Sequence, residues 1–229
     1  MTINYIYNRN FLYLVIPFIF FLCIPHKVLS TSEIHLVMEG AGNQAILYNS
    51  FYLDPIKVWV NGILDSSCKK TCTISSPYKV ELDFEDGVNS TENMFYGLTN
   101  LVEVDLSRFD ASKVTSMGSM FRDCNKLAKI NFGEINTSSV VDMSYLFQNC
   151  VLLESLDLSN FDTSSVVIMS YMFSNCDKLV SIDLSNFNTS SLEEMNDLLS
   201  YCRHLLFADL SNFDTSLKIC KAFSIVVKG

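Results

Sequence analysis

The chain has 229 residues, 49% of them hydrophobic and 18% charged, and carries a net charge of -9. That length allows one or two domains, and the apolar content is ample for a core. The acidic balance, with no stripe of clustered Lys and Arg, argues against nucleic acid, whose phosphates need such clusters.

Residues 1–30 read as a secretory signal peptide: Arg9 gives a positive start, FLYLVIPFIFFLCIP is the apolar run, and VLS before Thr31 resembles a small-residue cleavage site. The rival reading is an uncleaved anchor, but the run is short of the roughly 18 apolar residues of a spanning helix. Cys23 closes the run as a bacterial lipoprotein cysteine does, yet Leu22 stands where a small residue is expected.

Residues 31–92 predict a β-rich N-terminal cap. The runs EIHLVM, AILY, IKVWV and KVELDF are separated by turn chemistry in GAGN, the Asn61-Gly62 pair, SSP and EDG. Trp59 lies in an alternating strand and is expected in the core. Cys68 and Cys72, in SCKKTC, are the best disulfide candidate. Signal removal takes Cys23 from the eight cysteines and leaves an odd number, with Cys220 the suspect for an unpaired thiol.

Residues 93–220 repeat one 26-residue pattern four times, with a partial fifth copy. Leu101, Leu127, Leu153, Leu179 and Leu205 form one column, Met117, Met143, Met169 and Met195 another, and Cys124, Cys150, Cys176 and Cys202 a third. Such a period marks units too small to bury their apolar face alone, which stack to share one core. In the cleanest copy, Leu153 to Ser159 alternates as a short strand. Thr163, Ser164 or Ser165 then offers a hydroxyl N-cap, and Val166, Met169, Met172, Phe173 and Cys176 follow at helical spacing. Ser190 with Glu193 and Ser191 with Glu194 have capping-box spacing. The prediction is α/β: about five strand–turn–short-helix coils on a β-rich cap, ending in an irregular or truncated stretch at 221–229.

The stretch DLSNFDTSSVVIMSYMFSNC at 157–176, with copies from 105, 131 and 183, resembles the BspA-like leucine-rich repeats of surface proteins, including the mycoplasma lipoprotein-type variant. The resemblance implies a leucine-rich-repeat solenoid and an extracellular, non-enzymatic recognition or adhesion role. Partners within that family are diverse, so the ligand does not transfer.

Stacked strands about 4.8 Å apart place equivalent residues in ladders. One outward column holds Glu103, Lys129, Ser155, Ser181 and Phe207, and a second Asp105, Asn131, Asp157, Asp183 and Asp209. Like charges at that spacing repel by roughly 0.9 kcal/mol in water, so the aspartates ask for partners. They either face a basic ligand or hard cation, or each accepts hydrogen bonds from a nearby Ser or Asn and fixes a turn. The candidate contact residues are Glu103, Lys129, Asp157, Asp183, Phe207 and Asp209.

No metal or other cofactor is expected, since 26-residue cysteine spacing is not a zinc spacing and the column reads as buried thiols. Only His35 and His204 follow the signal, and neither sits in a nucleophile motif, which speaks against an enzyme. Asn89, Asn136 and Asn188 head glycosylation sequons. The expectation is a secreted or cell-surface recognition and adhesion protein binding a protein or glycan, without nucleic acid, and touching membrane only through an uncleaved N-terminus. The alternative is a self-associating structural coat or matrix protein.

Overall fold

The computed structural model describes residues 32–74, 78–84 and 87–214; the expected signal segment 1–30, the stretch 221–229 and Cys220 lie outside them. Alternation builds the N-terminal strands. β1 (Ser32–Met38) buries Ile34, Leu36 and Met38 and turns Glu33, His35 and Val37 to the other face. After β2 (Gly42–Ala45), the strands β3 (Lys57–Val60) and β4 (Ile63–Leu64) form a hairpin over Asn61 and Gly62, whose φ values are 51° and 78°. Positive φ at both central residues is what a type I′ turn requires. Trp59 is only half-buried, with the Lys57 ammonium 5.7 Å from its ring.

β5 (Thr71–Ile74) pairs with β2 as a separate antiparallel ribbon, while β6 (Tyr78–Phe84) joins the main sheet. That sheet has six strands in the order β4-β3-β6-β1-β7-β8, where β7 (Leu101–Arg108) and β8 (Lys129–Asn131) come from the first two repeats. β1 runs antiparallel to both β6 and β7, and β7 runs parallel to β8. The N-terminal unit therefore shares a sheet with the repeats. Farther on, β9 (Ser181–Asp183) and β10 (Phe207–Asp209) form a two-stranded parallel pair.

The α/β leucine-rich-repeat solenoid of strand–turn–short-helix coils predicted from the spacing does not form. Among the described residues there is no helix, the strands fall into three sheets of mixed orientation, and the fold is β-rich with long turn-built segments. Val166, Met169, Met172, Phe173 and Cys176 are all buried, as an apolar stripe must be. Between them, however, Tyr171 and Asn175 both hold φ at 60°, a left-handed conformation that interrupts an α-helix. The same two positions are left-handed at Asn93 and Gly97, Ser119 and Asp123, Tyr145 and Asn149, and Asp197 and Tyr201.

The backbone donors then divide. Met172, Ser174 and Cys176 donate three residues back, to Met169, Tyr171 and Phe173, whereas Tyr171, Phe173 and Asn175 donate to Asn196, Leu198 and Ser200 of the next copy. Every second N–H that a helix would use within its own turn goes to a neighbour instead. The predicted N-cap hydroxyls are recruited the same way: Thr163 Oγ1 donates to Asn188 O (3.1 Å) and accepts from Asn188 N (2.8 Å). Single parallel bridges link Ser90, Ser116, Asp142, Ile168 and Glu194 from copy to copy.

This register threads columns of identical side chains through the core. Phe95, Phe121, Phe147 and Phe173 stack at 5.5, 5.8 and 5.4 Å between ring centroids, all fully buried. Cys124, Cys150, Cys176 and Cys202 carry free thiols, and the first three are buried. Their Sγ atoms donate to the carbonyls of Phe95, Phe121 and Phe147 at 3.0, 3.2 and 3.2 Å. Desolvation pushes these thiols well above their ordinary range, which keeps them protonated donors. Gly133 marks a close approach of one copy to the copy before it: its φ is 55°, and a Cβ there would lie 2.7 Å from Ser107 Cβ and 2.8 Å from Ser107 Cα.

Candidate functional site: a charged depression on the shared sheet

The face of β1 that points away from the core meets its neighbours in register. His35 lies between Glu81 of β6 and Asp105 of β7, and Val37 lies between Lys79 and Glu103. On the far side Glu103 pairs with Lys129 of β8, and Asp105 with Asn131. Together these residues line an open depression of about 400 Å³. Lys79, Glu103 and Lys129 have no ion-pair partner within 4.0 Å among the described residues, although they share one concave face. Asp105 is engaged, with Oδ1 accepting from Ser107 N (2.9 Å) and Asn131 Nδ2 (3.1 Å).

Of the six predicted contact residues, Glu103 and Lys129 meet in this depression. Asp183 and Asp209 pair across β9 and β10, where Phe207 faces Ser181. Asp157 sits on an exposed segment that forms no strand. The outward columns are thus divided between two sheets. His35, Lys79 and Glu81 were not predicted, because they belong to the N-terminal unit; the period-two alternation of β1 and β6 was their available signal.

The aspartates make the hydrogen bonds of the turn-forming alternative. Asp157, Asp183 and Asp209 each accept, through Oδ1, the backbone N–H two residues on, from Ser159 (3.0 Å), Ser185 (2.9 Å) and Ser211 (3.0 Å). Asn131 holds Gly133 N in the same way at 3.2 Å. The Ser159 backbone N–H and hydroxyl hold the Asp157 carboxyl below the usual range, and the Ser185 hydroxyl and N–H do the same for Asp183. Among the described residues no group of three His, Cys, Asp or Glu is placed to hold a metal ion.

A folded pKa held below its unfolded value of about 3.9 stabilises above that value, and the contribution is lost as pH falls through the folded pKa. Because Asn makes this turn natively at position 131, the double variant Asp157→Asn/Asp183→Asn is expected to melt at the parent temperature at pH 7. Between pH 5 and 3 it loses less stability than the parent, as followed by thermal melts. Parallel acid limbs in the two proteins would contradict this.

Cys68 and Cys72 form a disulfide with a Cα–Cα distance of 4.9 Å, at the entrance to β5. The sequon asparagines are exposed. Asn89 Oδ1 accepts from the Tyr52 hydroxyl (2.9 Å), Asn136 Oδ1 from Ser138 N (3.1 Å) and Oγ (2.7 Å), and Asn188 Oδ1 from Ser190 N (2.9 Å).

Fold and site together define a β-rich repeat protein whose 26-residue copies continue from an N-terminal sheet with a charged outer face. Residues 81–154 and 124–224 match the family described as Mycoplasma protein of unknown function, DUF285, and with more than half of its length covered the chain belongs to that family. No curated protein and no solved structure matches it.

Proposed function

We propose that this is a secreted or surface-displayed, non-enzymatic recognition protein that engages a protein or glycan partner through the depression over β6, β1, β7 and β8. The observation that carries this reading is the grouping of Lys79, Glu103 and Lys129, without an ion-pair partner among the described residues, on one concave face. Charged side chains brought together and left without partners are ready to exchange water for a complementary surface, and a hydrogen-bonded sheet holds them with little ordering entropy left to lose. The resemblance of the DLSNFDTS copies to BspA-like repeats of surface proteins supports a place outside the cell.

The test is saturable binding of the labelled chain to intact cells and extracellular matrix. Glu103→Lys/Lys129→Glu reverses both charges while keeping their sum, and is expected to weaken binding at least tenfold. Affinity equal to the parent's refutes the assignment to this face.

A second reading, a self-associating coat or matrix protein, draws on exposed apolar side chains at Leu206 (81% exposed) and Phe207 (60%) in the last described copy. On that reading sedimentation shows mass growing with concentration, and Leu206→Lys/Phe207→Lys abolishes the growth. On the recognition reading the chain sediments as a monomer throughout.

A further inference from the structure

A second surface lies on the turn segments, away from the strands that line the depression. Tyr96, Arg122, Tyr145 and Tyr171 come from four successive copies and meet side by side. The Arg122 guanidinium carbon is 5.8 Å from the Tyr96 ring centroid and 4.9 Å from that of Tyr145, so a cation is held between two rings. Tyr145 stacks on Tyr171 at 5.0 Å with 6° between their planes, and Tyr48 extends the row by an edge contact to Tyr96 at 5.1 Å. All five side chains are half-buried, so the row presents an outer edge to solvent.

The bonding of this row is incomplete. Arg122 carries five N–H donors, yet its side chain makes no hydrogen bond among the described residues, and its Nε is buried without an acceptor. The nearest carboxylate, Asp123, lies 3.8 Å from Nε through Oδ2, while its Oδ1 is taken by Asn149 Nδ2. In the same column of the next copy, Gln148 Oε1 is a buried acceptor with no donor among the described residues. At the far end Asp197 lies beside Tyr171, and its charge raises the Tyr171 phenol above its usual range, keeping that hydroxyl a donor.

We infer that this Tyr96–Arg122–Tyr145–Tyr171 row is a binding site for an acidic sugar chain, with Arg122 taking a carboxylate or sulfate and the flanking tyrosines taking the sugar rings and hydroxyls. A guanidinium confined between aromatic rings has little freedom left to lose, and its planar fork suits two parallel bonds to an oxyanion. Tyrosine rings offer an apolar body and a polar tip, which suits a ligand with both C–H faces and hydroxyls. A polyhydroxylated ring meets the exposed tyrosine edges with both C–H groups and hydroxyls, which the carboxylate side chain of an acidic peptide does not. This inference concerns a surface other than the charged depression and stands or falls separately from it.

The test is titration calorimetry of the full chain against hyaluronan and heparin oligosaccharides, with neutral dextran oligosaccharides, sodium sulfate and poly-glutamate as controls. Expected are saturable binding of at least one acidic oligosaccharide that weakens with salt, a loss of tenfold or more in Arg122→Gln, and a comparable loss in Arg122→Lys. The lysine variant keeps the charge but not the planar fork of donors, and Glu103→Lys/Lys129→Glu leaves this binding unchanged. Circular dichroism and melting curves matching the parent establish that the variants are folded. The inference is overturned if neither acidic oligosaccharide binds, if dextran or poly-glutamate binds as tightly, or if Arg122→Gln binds like the parent. Response to sulfate alone marks an adventitious ion only, and also overturns it.

Discussion

Phe147→Ala is expected to destabilise the chain by about 3–5 kcal/mol, the range for emptying a large aromatic site in a packed core. Phe147 has no solvent exposure and stacks on Phe121 on one side and Phe173 on the other, with Phe132 meeting its edge at 6.3 Å. Removing the ring opens a cavity that none of the three can fill without leaving its own copy's register. The loss should appear in urea unfolding as a lower midpoint. Phe147→Leu is the control: leucine stands natively in this column at Leu199, so its effect should be the smaller. A similar loss in both variants would contradict this ranking and show that the stacked ring, and not apolar volume, carries the stability.

The second large effect is expected at Gly133→Ala. Two penalties act together there. A left-handed backbone costs a residue with a Cβ roughly 1–2 kcal/mol, and the added carbon would meet the backbone and Cβ of Ser107 at under 3 Å. Backbone cannot swing aside as the end of a side chain can, so β7 and β8 must separate. Gly62→Ala at the hairpin tip isolates the first penalty, since that glycine is also left-handed but a Cβ there meets nothing within 4 Å. Melting temperatures should rank parent, Gly62→Ala, Gly133→Ala from high to low. Equal losses in the two variants would rule out a packing role for Gly133.

The period and the apolar columns were legible because identical residues recur every 26 positions, and the buried phenylalanine, leucine, methionine and cysteine columns follow that reading. The local conformation was not. Turns with a left-handed residue every fourth position bring the apolar side chains to one face at the same three- and four-residue spacing as a helix, so spacing alone does not separate the two. The distinguishing signal was the polar column Gly97, Asp123, Asn149 and Asn175, since glycine, asparagine and aspartate are the residues that tolerate positive φ.

At the site, Glu103 and Lys129 were legible as ladder neighbours because the period fixes their register. His35, Lys79 and Glu81 were not, because the pairing of β1 with β7 depends on packing between distant segments. Serine at positions 159, 185 and 211 gives no warning that the equivalent residue of the second copy must be glycine.

The place of β1 at the centre of the shared sheet has a consequence for synthesis. This strand leaves the ribosome before either of its partners. β6 ends 46 residues after Met38 and β7 ends 70 residues after it, so at about 5–20 residues per second the strand waits roughly 2–9 s for its first neighbour and 4–14 s for its second. Until β6 arrives, Ile34, Leu36 and Met38 form an alternating apolar segment with both edges unpaired, and until β7 arrives one edge stays open, the kind of stretch that a holdase grips. The nascent chain is thus most exposed to capture at its beginning, and arrival of the first repeat ends that exposure.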